Sequence, residues 1–275
     1  METNQTVHQP DFTLSEKERQ IPNIYLKKFS IIIPAYNEEK RISPVLNDIC
    51  RFISDNKLPW DVIVAIDGND TTYDIAESFA ETYDFISIDR SRERRGKGGA
   101  IKRVLPNIDG KFTILMDADN SISFLDIAAA VQLLEKSDAV ILSRYTGKNS
   151  IPLLRRFLSR GFNIIVRSIA GLNVSDTQSG YKLFRSDFFV SAMRRVTVTN
   201  ASYDVALLYY IKKMGGQITE TPAKYTHADN GKLNPLSMAV SFGISLVAFR
   251  IRNSPLYAHV PQFLIKLYRR KFRWL

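Results

Sequence analysis

Apolar residues run along the first half of the chain in short blocks, each ending abruptly on a polar turn. Phe29–Ile33, Trp60–Ile66, Phe85–Ile88, Ile114–Met116 and Ala139–Ser143 are such blocks. Continuous apolar runs of this length predict strands buried on both faces. Pro34 is expected to end the first, because proline donates nothing to a central ladder. Between the blocks lie helical patterns at Ile42–Ile53, Thr71 or Thr72 to Tyr83, Ala100–Leu105 and Phe124–Leu134. Strand and helix alternate, so the expected class is α/β, with a mostly parallel central sheet and helices on both faces.

The second half reads differently. Leu153–Ile169 is apolar but carries Arg155, Arg156, Arg160 and Arg167, so one face should meet water or lipid headgroups. A polar loop from Asp176 runs into a short strand, and Tyr203–Met214 predicts a helix stopped by Gly215-Gly216. Tyr225–Leu233 reads as a flap. Leu236–Phe249 is the longest apolar stretch, shorter than the roughly 20 residues of a spanning helix. In Phe263–Leu275, Leu264, Leu267, Tyr268, Phe272 and Leu275 oppose Lys266, Arg270 and Arg273, which predicts an amphipathic helix lying in a membrane interface. The expected organisation is a polar extension over 1–24, a catalytic domain over 25–234 and a basic, membrane-associating segment over 235–275.

Composition narrows the partners. The 275 residues carry a net charge of +10, and no Asp or Glu follows Asp229. An anionic partner is expected: a phospholipid surface, a phosphorylated substrate or nucleic acid. A nucleic-acid-binding protein is the alternative of a different class, but it leaves the acidic strand ends described next without a purpose. Cys50 is the only cysteine, which excludes an internal disulfide and any cysteine-cluster metal site. Met1–Gln20 is polar and does not read as a signal peptide.

Chemistry concentrates at strand ends. Tyr36-Asn37-Glu38, Asp67-Gly68-Asn69 and Asp117-Ala118-Asp119 each follow an apolar block. In a parallel sheet these three clusters share one rim, where such folds bind ligands. Asp117 and Asp119 suit a hard divalent cation such as Mg²⁺ or Mn²⁺ better than a core. Arg94-Arg95-Gly96-Lys97-Gly98-Gly99 opens a helix without P-loop spacing; its glycines allow a close backbone approach to phosphate.

These motifs, in this order, resemble the family 2 glycosyltransferases of GT-A fold. The stretches Arg95–Ala100 and Asp176–Phe184 are similar to the branch that works on lipid phosphates: the dolichyl-phosphate hexosyltransferases, above all the β-glucosyltransferases and then the mannose synthases. The resemblance covers about Phe29 to Arg252. It implies that Pro34, Ala35, Tyr36 and Glu38 line the nucleotide pocket and that Asp67 meets the base. It implies further that Asp117 faces the donor sugar, that Asp119, with Asp117 beside it, holds Mg²⁺ or Mn²⁺, that Arg144 meets the acceptor phosphate and that Gln178 lies near the reacting sugar.

The implied activity is inverting transfer of a hexose from UDP-glucose, or alternatively from GDP-mannose, to dolichyl or polyprenyl phosphate, as in glycan assembly for protein N-glycosylation. The implied place is the cytoplasmic face of a membrane, held peripherally by the tail. Arg95 and Lys97 are expected to surround the donor phosphates with positive charge, and Arg144 and Lys182 to offset repulsion between two anionic substrates. Two departures stand out. The usual second carboxylate beside Asp67 is missing, and Ser121 occupies a position where mannose synthases have a metal-binding glutamine.

Overall fold

The computed structural model describes residues 22–145, 171–199, 202–226, 235–263 and 265. The arginine-studded segment, most of the expected flap, nearly all of the basic tail and all but the last three residues of the expected N-terminal extension lie outside these residues. Among the described residues the chain forms one seven-stranded sheet in the order β3-β2-β1-β4-β6-β5-β7. The strands are β1 (Phe29–Tyr36), β2 (Trp60–Asp67), β3 (Ile86–Ser91), β4 (Phe112–Leu115), β5 (Ala139–Ser143), β6 (Lys182–Arg185) and β7 (Ile218–Pro222). All pairings are parallel except those of β6, which runs antiparallel to both β4 and β5.

Helices α1 (Ile42–Asp55), α2 (Thr72–Thr82), α3 (Lys97–Val104), α4 (Phe124–Ala130), α5 (Ser186–Arg195), α6 (Tyr203–Lys213) and α7 (Pro235–Arg252) complete the described part. Neighbouring residues of a strand point to opposite faces. On β1, Ile31 and Ile33 join a core with α1, α2 and α4, while Ile32 joins a second core with α3, α5, α6 and the end of α7. α1 shows why the helices dock: Ile42, Val45, Leu46, Ile49, Cys50 and Ile53 recur at helical spacing and are all buried. Ser123 starts α4 by accepting the Leu125 N–H at 3.2 Å.

One expectation is corrected here. β1 does not stop at Ile33 but continues through Pro34 to Tyr36, with Pro34 opposite Ala65 of β2. Pairing with β4 ends at Ile32, whose carbonyl accepts from Met116. Two residues on, the proline nitrogen points to that same side, past the last rung, so its missing N–H costs no bond. The extra residues carry Tyr36 out to the rim.

α7 is helical as far as Arg252 and is docked along one side. Ser245, Leu246 and Phe249 are buried, and Phe249 packs edge-on against Tyr209 and Tyr210 of α6. The Tyr210 hydroxyl donates to Asn253 at 2.8 Å. Ile244 and Val247 face outward. No described helix is long and apolar enough to cross a membrane.

Candidate active site

β1, β2 and β4 are adjacent and parallel, so their carboxyl ends form one rim and bring the three polar clusters together. The turns are stitched to each other. Asn37 takes a left-handed conformation, φ 55°, and its Oδ1 accepts the Asn69 N–H. Gly68 at φ 115° lies so near that a Cβ would stand 2.2 Å from that oxygen. Asp70 accepts from the Glu39 N–H, and Glu39 accepts from Thr71.

Asp117 and Asp119 leave β4 toward this rim, both partly exposed. Asp117 Oδ1 pairs with the Lys97 ammonium. Burial pushes the Asp117 carboxyl up, but Lys97 beside it, with Lys182 and Arg144 behind, holds it below the usual carboxylate range. Asp119 Oδ1 accepts from the Tyr181 hydroxyl at 2.7 Å and from the Ser121 N–H at 3.0 Å. Glu38 completes an acidic trio. Burial raises it, Arg41 at 2.5 Å opposes this, and the charges of Asp119 and Asp117 raise it further.

The opposite wall is the segment before β6. Gly180 sits against Asp117, and a Cβ there would stand 1.7 Å from Oδ2. Tyr181 holds Asp119. Asp176, fully buried, takes Arg144 in a two-pronged pair at 2.8 and 2.7 Å. Glu220 of β7 anchors this segment through the N–H groups of Ser175 and Asp176. Gln178 is half-buried on the same loop. Tyr225 pairs with Ile122 in an antiparallel bridge and lies 5.9 Å from the Arg144 guanidinium.

Other expected residues take different places. Pro34 and Ala35 line the end of β1, and Tyr36 is 42 % exposed with the Arg94 guanidinium 4.2 Å above its ring. Asp67 is buried: Oδ2 accepts the Arg95 backbone N–H and Oδ1 accepts from Arg103, each at 2.7 Å. Arg103 also reaches Asp89 at 2.6 Å. Asp67 therefore ties β2 to the basic loop, and only second lone pairs on its oxygens remain for a base. The Arg95 side chain extends outward beside Glu93.

Lys182 was expected to meet a substrate, but it has no exposed surface, and its ammonium pairs with Asp204 at 2.6 Å. On β6 its side chain points into the second core, beneath the rim. The glycine loop also differs from expectation. α3 begins within it at Lys97, the Gly98 N–H goes to the Thr199 carbonyl, and Gly98 is packed against Tyr203. These glycines let two helix starts meet.

The carboxylates fit a divalent cation. The hydrogen bonds of Asp119 fall on Oδ1, leaving Oδ2, and the Ser121 hydroxyl two residues on is buried without a partner. Among the described residues no group of three or more His, Cys, Asp or Glu is arranged to hold a metal ion by itself. Two carboxylates completed by water and substrate phosphates suit Mg²⁺-like ions.

Comparison with known proteins decides the family. The model for "Glycosyl transferase family 2" matches residues 30–191. The chain belongs to glycosyl transferase family 2. It is 31% identical over 260 residues to a dolichyl-phosphate beta-glucosyltransferase of Dictyostelium discoideum, covering 87% of this chain and 78% of that one. The Homo sapiens protein of that name is 26% identical, covering 86% and 80%. The chain is thus a glycosyltransferase similar to dolichyl-phosphate β-glucosyltransferases. Among solved structures, glucosyl-3-phosphoglycerate synthase from Mycobacterium tuberculosis, in complex with Mn²⁺, UDP and glucosyl-3-phosphoglycerate, superimposes with TM-score 0.61 at 19% identity, covering 90% of this chain and 85% of that one. The fold is GT-A-like.

Tyr181, Asp176, Gly180 and Asp204 are the site residues that sequence reasoning did not single out. The first three lay inside a motif already noted. Nothing in the sequence marked Asp204.

Proposed function

We propose that this glycosyltransferase moves glucose from UDP-glucose to dolichyl or a related polyprenyl phosphate, with inversion, at a membrane surface. The observation that carries the reading is the grip of Gly180 and Tyr181 on Asp117 and Asp119. That grip joins the acidic rim to the very stretch resembling lipid-phosphate transferases. Relatives named as dolichyl-phosphate beta-glucosyltransferases support the acceptor and sugar. A structural neighbour crystallised with Mn²⁺ and UDP-glucose supports the donor and metal.

In this reading an acceptor phosphate oxygen forms a bond to the anomeric carbon. The bond from that carbon to the diphosphate breaks, and its electron pair leaves with UDP. A phosphate monoester has a second pKa of about 6 and is mostly dianionic at neutral pH, so no histidine base is required. A bound Mg²⁺ or Mn²⁺ would supply Lewis-acid charge to the departing diphosphate. Asp119 and Asp117 would hold that ion. Lys97 keeps Asp117 ionised and adds positive charge beside the phosphates, with Arg95 further out. Pro34, Ala35, Tyr36, Glu38 and Asp67 form the nucleotide side. Arg144 meets the acceptor phosphate, and Gln178 lies near the sugar.

The test is a donor panel of UDP-glucose, UDP-galactose, UDP-N-acetylglucosamine and GDP-mannose with a short polyprenyl phosphate and Mg²⁺ or Mn²⁺. UDP-glucose should be used best. A preference for GDP-mannose would replace the glucosyl reading by a mannosyl one. Asp119→Ala should lower turnover by about 10²–10³-fold, the size of losing a preorganised charge stabiliser. It should also abolish Mn²⁺-dependent UDP binding in calorimetry.

A further inference from the structure

We propose that Asp204 is a positioning residue for transfer: through Lys182 it fixes the Ser179–Gly180 backbone against Asp117. This rests on Asp117 belonging to the reacting site, as proposed above.

Asp204 stands in the first turn of α6 and is almost fully buried. Lys182 Nζ donates to its Oδ1 at 2.6 Å, and the same ammonium donates to the Ser179 carbonyl. The next residue, Gly180, is the one pressed on Asp117 Oδ2. Ser179 is pinned from its side chain as well, its hydroxyl donating to the Leu142 carbonyl at 2.6 Å. The other oxygen of Asp117 belongs to Lys97. Lys97 starts α3, whose Gly98 abuts Tyr203, the neighbour of Asp204. The two helix starts therefore meet beside the Lys182–Asp204 pair.

The Lys182–Asp204 and Lys97–Asp117 ion pairs are thus joined through the Ser179–Gly180 backbone. A buried ion pair is a weak source of stability, since apolar residues of similar volume do as well. Its effect here is geometric: it sets where Gly180, and so Asp117, can be. Burial lowers the Lys182 ammonium below its ordinary value, and Asp204 beside it opposes this.

Two measurements on the full chain test this. Asp204→Asn weakens the grip on Lys182 and should lower kcat about 10–100-fold, the cost of an ångström-scale misplacement, with donor KM little changed. The variant Lys182→Met/Asp204→Leu removes both buried charges and should melt close to the wild type, yet lose kcat by a similar factor. A double variant that folds and keeps wild-type kcat overturns the proposal, and so does a loss that appears in donor KM and not in kcat. Should Asp204→Asn fail to fold, the double variant alone decides. A wild-type chain that transfers no sugar from any donor sinks the proposed function; a wild type that transfers beside a double variant of equal kcat sinks only the role of Asp204.

Discussion

At the scale of single residues, the site depends on one absent methyl group. Gly180 needs no left-handed conformation, so alanine there brings no backbone strain. What it brings is a Cβ 1.7 Å from Asp117 Oδ2, a distance that forces the carboxylate away from Lys97. Gly180→Ala should therefore leave a folded protein with circular dichroism like the wild type. Its turnover should fall about 10²-fold. Wild-type kcat would mean that the Asp117 position is not needed. The Lys97–Asp117 pair also sets a pH window. Asp117 is depressed, so its contribution to stability is present above its unfolded value of 3.8 and is lost as pH falls through the lower folded value. Lys97 is raised, so its contribution is complete below 10.5 and is lost as pH rises through the higher folded value. Turnover and melting temperature should both hold a plateau between these limits, as far as this pair controls them. Cys50, pushed up to about 11 by burial, should resist thiol reagents at neutral pH in the native protein.

At the scale of elements, the segment from Asp176 into β6 is the hub, because it touches Arg144, Asp117, Asp119 and Asp204. Arg144→Lys keeps the charge but loses the two-pronged grip on Asp176. Acceptor KM should rise about tenfold and donor KM should not move; an equal rise in both would place Arg144 on the donor side. Much of this architecture was legible in the sequence. β1, β2, β4 and β5 are continuous apolar runs, and the acidic ends of β1, β2 and β4 pointed to the rim directly. Two elements were not legible. β7, Ile-Thr-Glu-Thr-Pro, is an edge strand with one large apolar residue, too polar to stand out. α5 follows β6 without an intervening residue, and no glycine or proline marks the change from period 2 to period 3.6. The burial of Lys182 was hidden for a further reason. Its partner Asp204 is 22 residues away, and pattern alone does not show which of two charged residues in a polar motif points inward.

At the scale of the whole molecule, the proposed acceptor raises the question of how the enzyme would reach a lipid phosphate. The described part of the C-terminal segment shows two sides. Leu246 and Phe249 bind α7 to the body, while Val247, 47 % exposed, looks outward with Ile244, and Phe263 further on is 67 % exposed. Arg250 and Arg252 close the helix, and the sequence from there on is basic with no acid. Apolar residues flanked by cations suit an anionic bilayer surface, where each basic residue contributes about 1 kcal/mol and salt screens the attraction. Truncation after Pro261 removes Phe263 and the basic tail but leaves α7 and the acidic rim. The shortened protein should keep its melting temperature and its Mn²⁺-dependent UDP binding. It should lose most of its co-sedimentation with anionic vesicles, and that of the full chain should weaken with added salt. Transfer to a short, soluble polyprenyl phosphate should survive truncation better than transfer to the same acceptor embedded in vesicles, since only the second requires the enzyme to stay on the surface. Unchanged co-sedimentation after truncation would move the anchor to α7 or elsewhere on the body. Equal loss on both acceptors would show that the tail shapes the site itself.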